Sequence, residues 1–167
     1  MIFIKSINYI FTFFRLIYIF QAKQNKKIKA YKNIYLKTFT SLNKTKNVEI
    51  LNYLKENNKI KRFKNKYILL VLFYKKKFVC CGWMHEGTSW YISEINKNFK
   101  IKNSILLFDF FTFPKFRKKS FYKKILILIR NKRTQKPFLI YCLSSNSNSK
   151  KGILNAGFNL KDKIKKI

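Results

Sequence analysis

Apolar and polar positions along this chain fall into blocks with recognisable periods. Ile105 to Phe113 is almost continuously apolar and stops at Pro114, the pattern of a strand buried on both faces. After the turn Lys115-Phe116-Arg117-Lys118-Lys119-Ser120 the period changes to that of a helix over Phe121 to Leu128. Phe121, Ile125 and Leu128 share one face, with Tyr122, Leu126 and Ile129 beside it. Phe138 to Leu143 is a second buried-strand run. Asn146 to Ala156 reads as a short helix closed by Gly157 and Phe158.

Upstream, Asn33 to Thr40 alternates as a strand. Lys46 to Asn57 has helical spacing, with Val48, Leu51 and Leu54 on one face and Asn57-Asn58 as its stop. Tyr67 to Tyr74 is a run of apolar and aromatic residues, Lys75-Lys76-Lys77 turns the chain, and Phe78 to His85 returns as the hairpin partner. Trp90 to Ile101 is weaker, a short strand and a loop. The predicted class is α/β (α+β): a mixed, mostly antiparallel central sheet with helices on both faces. Residues 105–113 and 138–143 are expected as neighbouring parallel strands joined by a right-handed helical crossover.

Residues 1–20 hold fifteen apolar or aromatic side chains, with Lys5 and Arg15 as the only charges, and five lysines follow by residue 32. Arg15 interrupts what a membrane span needs, and no small-residue cleavage site follows. Three placements stay open: packed on the domain, lying on an anionic membrane surface, or spanning. The expectation is an N-terminal aromatic and basic helical extension over 1–30, peripheral to a catalytic domain over 31–167.

Charge changes the picture most. Thirty-eight Lys and Arg stand against six Asp and Glu, a net charge of +32. Such an excess points to a polyanionic partner (nucleic acid, an anionic membrane or a phosphorylated ligand), or to a solvated basic surface without one. Cys80, Cys81 and Cys142 are too few and wrongly spaced for a disulfide framework, and a single histidine leaves no zinc site of usual spacing. Reduced thiols, no metal and a cytoplasmic location, with contact to a membrane surface as a variant, are expected. Among candidate chemical groups, Asp109 is a lone carboxylate in an apolar strand: it is paired with a nearby lysine, exposed at an edge, or functional, in which case desolvation would raise its pKa toward that of a general base. His85 titrates near neutrality, and Trp83, Glu86 and Trp90 lie beside it in the sequence.

The order strand, basic turn, helix, strand, Asn-capped helix, Gly-Phe resembles the GNAT-type N-acetyltransferase superfamily. Arg117 takes the Arg of that family's Arg/Gln-x-x-Gly-x-Gly/Ala signature, with Ser120 and Tyr122 in place of its glycines. Asn146, Ser149, Gly157 and Phe158 fall in register with its second motif. The resemblance implies a GNAT-like acyl-CoA N-acyltransferase fold, with acetyl-CoA as co-substrate and an amine as acceptor. It implies that Arg117, Lys118, Lys119, Ser120, Phe121 and Tyr122 hold the pyrophosphate at a helix start, where backbone N–H groups bind anions. It further implies that the backbone of Phe111 and Phe113 pairs with the pantetheine arm at a bulge, and that Asn146 and Ser149 line the coenzyme's far end. Glu86, Asp109 and His85 are the candidates for catalysis. The tyrosine that often protonates the departing thiolate is Ile153 here, leaving Tyr141, Tyr122 or water. The alternative is a protein that keeps the fold without catalysis and uses its charge to bind RNA, the ribosome or an anionic membrane.

Overall fold

The computed structural model describes residues 16–25, 30–132 and 134–166. Nine strands and three α-helices follow one another along these residues. They are β1 (Leu16–Ala22), β2 (Ile34–Phe39), α1 (Val48–Glu56), β3 (Ile68–Tyr74), β4 (Lys77–Glu86), β5 (Ser89–Ile92), β6 (Lys97–Lys100), β7 (Ile105–Thr112), α2 (Phe121–Arg130), β8 (Phe138–Leu143), α3 (Ser147–Asn155) and β9 (Asn159–Lys165). Seven strands form one sheet in the order β2-β3-β4-β7-β8-β1-β9, and β5 and β6 make a separate hairpin. Every pair in the large sheet is antiparallel except β7 with β8. That exception is the parallel pair expected from the helical connection between them.

The two faces of the sheet follow from side-chain alternation. On β3, Leu69, Val71 and Phe73 point to one face and Leu70 and Leu72 to the other; β7 divides Leu106 and Phe108 from Ile105 and Leu107 in the same way. Helix α1 covers the first face with Ile50, Tyr53 and Leu54. Its buried stripe is shifted from the one the sequence suggested, and Val48 is exposed. The Asn47 side chain caps this helix by accepting from the Ile50 N–H at 3.1 Å. Helices α2 and α3 cover the second face through Phe121, Ile125, Leu126, Ile129 and Ile153.

The expectation of a peripheral helical extension over 1–30 is corrected over 16–22. These residues are strand β1, inserted between β8 and β9 and paired with both. Ile17, Ile19 and Phe20 are fully buried, with Ile17 and Ile19 facing the α1 layer and Phe20 the α2–α3 layer. Burying three such side chains contributes roughly 5–9 kcal/mol, as much as many whole domains possess. Arg130, at the end of α2, donates from Nε to the Lys23 carbonyl at 3.0 Å and fixes the strand's exit. The rest of that extension, residues 1–15 and 26–29, lies outside the described residues. The segment expected as strand and loop, Trp90 to Ile101, is the β5–β6 hairpin.

Candidate functional site

The site begins where the two parallel strands part. β7 and β8 pair over only three residues, Ile105–Leu107 with Phe138–Ile140. Beyond Leu107 the ladder between β4 and β7 slips: Trp83 faces Phe108 and Cys81 faces Phe111, so Asp109 and Phe110 together oppose Gly82. This is a β-bulge in β7, with Asp109 in the left-handed region at φ 46. A Cβ on Gly82 would lie 2.3 Å from the Phe110 ring, so the glycine makes room for that ring. The result is a fork, closed at Leu107 and Ile140 and open toward the ends of both strands.

Backbone polarity on the β7 arm differs from the expectation for Phe111 and Phe113. Phe113 donates its N–H to the Val79 carbonyl at 3.2 Å, so it is committed to β4. The Thr112 carbonyl instead accepts from Arg117 Nε at 3.2 Å. Because backbone groups alternate sides along a strand, Phe110 and Thr112 are the residues that turn toward the fork. The one-residue offset comes from the bulge, which has no unambiguous mark in the sequence.

The turn after β7 contains a short 3₁₀ segment, Pro114–Phe116, followed by Arg117 to Ser120. Lys118 (φ 61) and Ser120 (φ 59, ψ 20) are both left-handed. That conformation favours glycine, the residue that the resemblance leads one to expect at the Ser120 position. The Ser120 side chain makes no cap hydrogen bond to α2, so no hydroxyl occupies the first-turn N–H groups of that helix. Arg117, Lys118, Lys119 and Ser120 are exposed around this helix start. Phe121 is not: it is buried against Tyr74 and Phe116 and anchors the helix to the sheet.

Tyr122 turns inward, between α2 and α3. Its ring lies 5.5 Å from that of Phe110, and a Cβ on Gly152 would come within 2.6 Å of it. Burial pushes the phenol's pKa up and keeps it protonated. The bulk of Tyr122 is therefore matched by a glycine on the facing helix. Asn146 caps α3, accepting from the Ser149 N–H at 3.0 Å.

Of the three catalytic candidates, the structure separates two from the fork's chemistry. Asp109 is at the bulge, but Lys59 Nζ lies 2.7 Å from its carboxylate and Arg62 bonds the same oxygen. Desolvation pushes its pKa up, yet the Lys59 hydrogen bond and the charges of Arg62 and Lys59 outweigh it and hold the carboxyl below its ordinary value. The expected rise toward a general base is thus reversed. Glu86 ends β4 opposite Ile105, before the fork opens, and is paired with Lys136 at 2.7 Å. His85, opposite Leu106, also lies on the closed side, one position nearer the fork. Its ring contacts Tyr67 (4.9 Å) and Trp90 (5.7 Å), and Trp90 in turn packs 4.4 Å from Phe108. Burial lowers the imidazole's pKa, against an opposing pull from Glu86. Tyr141, just past the closed end on β8, accepts from Trp90 Nε1 at 3.3 Å, and burial raises its pKa.

Lys59, Arg62, Phe110, Thr112 and Gly152 were not singled out in the sequence. A lone carboxylate in so basic a chain does signal a paired cation, but not which one. Among the described residues no cluster of metal-ligating side chains occurs, and no helix is long and apolar enough to cross a membrane.

No family model and no curated protein matches this chain. Solved structures do. A functionally unknown conserved protein from Staphylococcus epidermidis superposes with a TM-score of 0.63 at 10% identity, over 90% of this chain and 59% of that one. A putative acetyltransferase of the GNAT family from Novosphingobium aromaticivorans gives 0.56 at 10%, over 90% and 61%. A GNAT-family acetyltransferase from Colwellia psychrerythraea gives 0.51 at 15%, over 87% and 53%. The chain thus spans little more than half the length of the structures it matches. The fold is that of GNAT-type acetyltransferases.

Proposed function

We propose that this chain, with its GNAT-type fold, is an acyltransferase that moves an acetyl group from acetyl-CoA to an amine. The observation that carries the reading is the fork: a three-residue parallel pairing, a bulge beside it, and an uncapped helix start with a left-handed approach. These three features give a thioester-bearing arm strand-like partners and give its phosphates free N–H groups.

Arg117, Lys118 and Lys119 supply charge around the helix start, and the N–H groups of α2 bind the pyrophosphate. Phe110 and Thr112 present backbone groups to the pantetheine arm, in place of Phe111 and Phe113. The acceptor enters on the α1 face, among Tyr67, Trp90 and Phe108. His85, neutral because it is desolvated, takes the ammonium proton through water. The amine nitrogen then attacks the thioester carbonyl, the C–N bond forms, and the C–S bond breaks. The departing thiolate takes a proton from Tyr141, whose hydroxyl stays protonated at neutral pH, and the resulting phenolate recovers a proton through water from the positively charged nitrogen, leaving the neutral amide. Asp109 holds Lys59 and Arg62 in place and does not act as the base.

The test is a thermal-shift titration with acetyl-CoA, followed by thiol release in the presence of a panel of amines. The reading expects stabilisation by mass action and amine-dependent release of free coenzyme thiol. A melting temperature unmoved at saturating ligand would refute it.

A further inference from the structure

The fork leaves unexplained the charge at the other flank of α2. An open pocket of about 540 Å³ lies there, lined by Tyr31, Lys32, Ile34, Tyr74, Lys119, Phe121 and Lys124. The topology brings three turns to this edge: the start of β2 beside the end of β3, the β3–β4 turn, and the turn from β7 into α2. Residues 31–34, 74–78 and 113–124 hold ten Lys and Arg and no Asp or Glu. Glu49 on α1 reaches the Phe78 N–H at 3.4 Å from the opposite face of the sheet. At the other end of the sheet, by contrast, Glu86 is paired with Lys136. Net charge alone would spread lysines evenly; these segments hold theirs with no carboxylate of their own.

The pocket also has aromatic walls. Tyr31 and Tyr74 are half-buried, and Lys124 Nζ lies 5.1 Å from the Phe121 ring and 5.9 Å from the Tyr31 ring. A concave site with ring faces and lysines around its rim fits a planar base with phosphates on either side. A membrane surface would instead be met by protruding apolar side chains. The exposed large hydrophobics among the described residues, Tyr35, Val48, Tyr91, Leu154 and Leu160, do not line this pocket.

We infer that this edge is a binding site for single-stranded nucleic acid. One base lies against Tyr31 and Tyr74, and the adjoining phosphates lie on Lys32 and Lys124. Much of the affinity comes from counterion release, so it falls steeply with salt. The stacking component is insensitive to salt.

The experiment measures fluorescence anisotropy of a labelled oligouridylate with the full chain at low and at physiological salt. Four variants are compared: the parent, Lys32→Glu/Lys124→Glu, Tyr31→Ala, and the charge-matched control Lys161→Glu/Lys163→Glu on β9. The double reversal at the pocket should weaken binding at least tenfold more than the control. Tyr31→Ala should weaken it about tenfold with the salt slope unchanged. Melting temperatures verify that each variant is folded, and acetyl-CoA should not displace the oligonucleotide. Equal losses in pocket and control variants, or full affinity in Tyr31→Ala, would reduce the site to diffuse charge and overturn the inference. Displacement by acetyl-CoA would overturn it by assigning the pocket to the coenzyme. Binding to phosphatidylserine vesicles with the same dependence on variants, without binding to the oligonucleotide, would overturn it in favour of a membrane.

Discussion

Replacing Lys118 and Ser120 by glycine should make the protein more stable, although both changes remove side-chain atoms. The two residues hold left-handed backbone at φ 61 and φ 59. For an L-residue that conformation costs about 1–2 kcal/mol, which glycine avoids. Glycine also gives the unfolded chain more freedom, offsetting roughly 0.5–1 kcal/mol of the gain. The net is about 0.5–1 kcal/mol per site. At this chain length 1 kcal/mol moves the melting temperature by about 2–4 °C, so the double variant should melt roughly 2–8 °C higher. Lys119, between them, has no such conformation, so Lys119→Gly carries only the entropic cost and should melt lower. Scanning calorimetry on the parent, the double variant and Lys119→Gly makes the comparison. If the double variant melts at or below the parent while Lys119→Gly is unchanged, the turn does not have this geometry. The argument for phosphate approach to α2 then fails with it. Ser120→Gly removes no charge and should keep or improve acetyl-CoA affinity.

Three further outcomes follow from the site. Gly152→Ala should destabilise by about 1–3 kcal/mol despite alanine's helix propensity, because its Cβ meets Tyr122 at 2.6 Å; adding Tyr122→Ala should relieve that clash, as a double-mutant cycle on denaturation midpoints would reveal. Asp109→Asn should cost roughly 1 kcal/mol at neutral pH. The native carboxyl's pKa is depressed, so its contribution is full above the unfolded value near 3.8 and is lost as pH falls through the lower folded value. Urea melts of parent and variant should therefore converge in acid, and a constant gap would show that the ion pairs are not the cause. Lastly, the imidazole of His85 is shifted below 6.5, so the acid limb of the acetyl-transfer rate should lie below that pH and vanish in His85→Gln. An identical limb in the variant would transfer the base role elsewhere.

How much of this was legible depends on the element. The run from Ile105, the helix from Phe121 and the run from Phe138 announce themselves because length and period agree, and their order fixes the parallel pair. β1 does not. An all-apolar stretch has no period, and a strand buried on both faces reads like a buried helix. Its partner strands are also the chain's last ones, so only long-range pairing decides its structure. The strand was visible in the apolar run ending at Pro114, and the resemblance implied a bulge in it, but the residues that form the bulge and the side to which each backbone group turns were not. Tyr122 stands where the resemblance expects a small residue, and the glycine that faces it, Gly152, could not be found from the sequence. Asp109 needed cations, and the chain offers 38 Lys and Arg; only the fold selects Lys59 and Arg62.

The central claim is that acetyl-CoA is held with its pyrophosphate at the start of α2. Isothermal titration calorimetry of acetyl-CoA against the parent and Ser120→Glu, with melting curves for both, tests it most directly. A glutamate there is compatible with the helix dipole, so the fold should be retained. Its bulk and negative charge should abolish coenzyme binding, and parent binding should weaken with added salt because phosphates meet lysines and Arg117. Undiminished affinity in a folded Ser120→Glu variant, or no binding by the parent at all, would contradict the account.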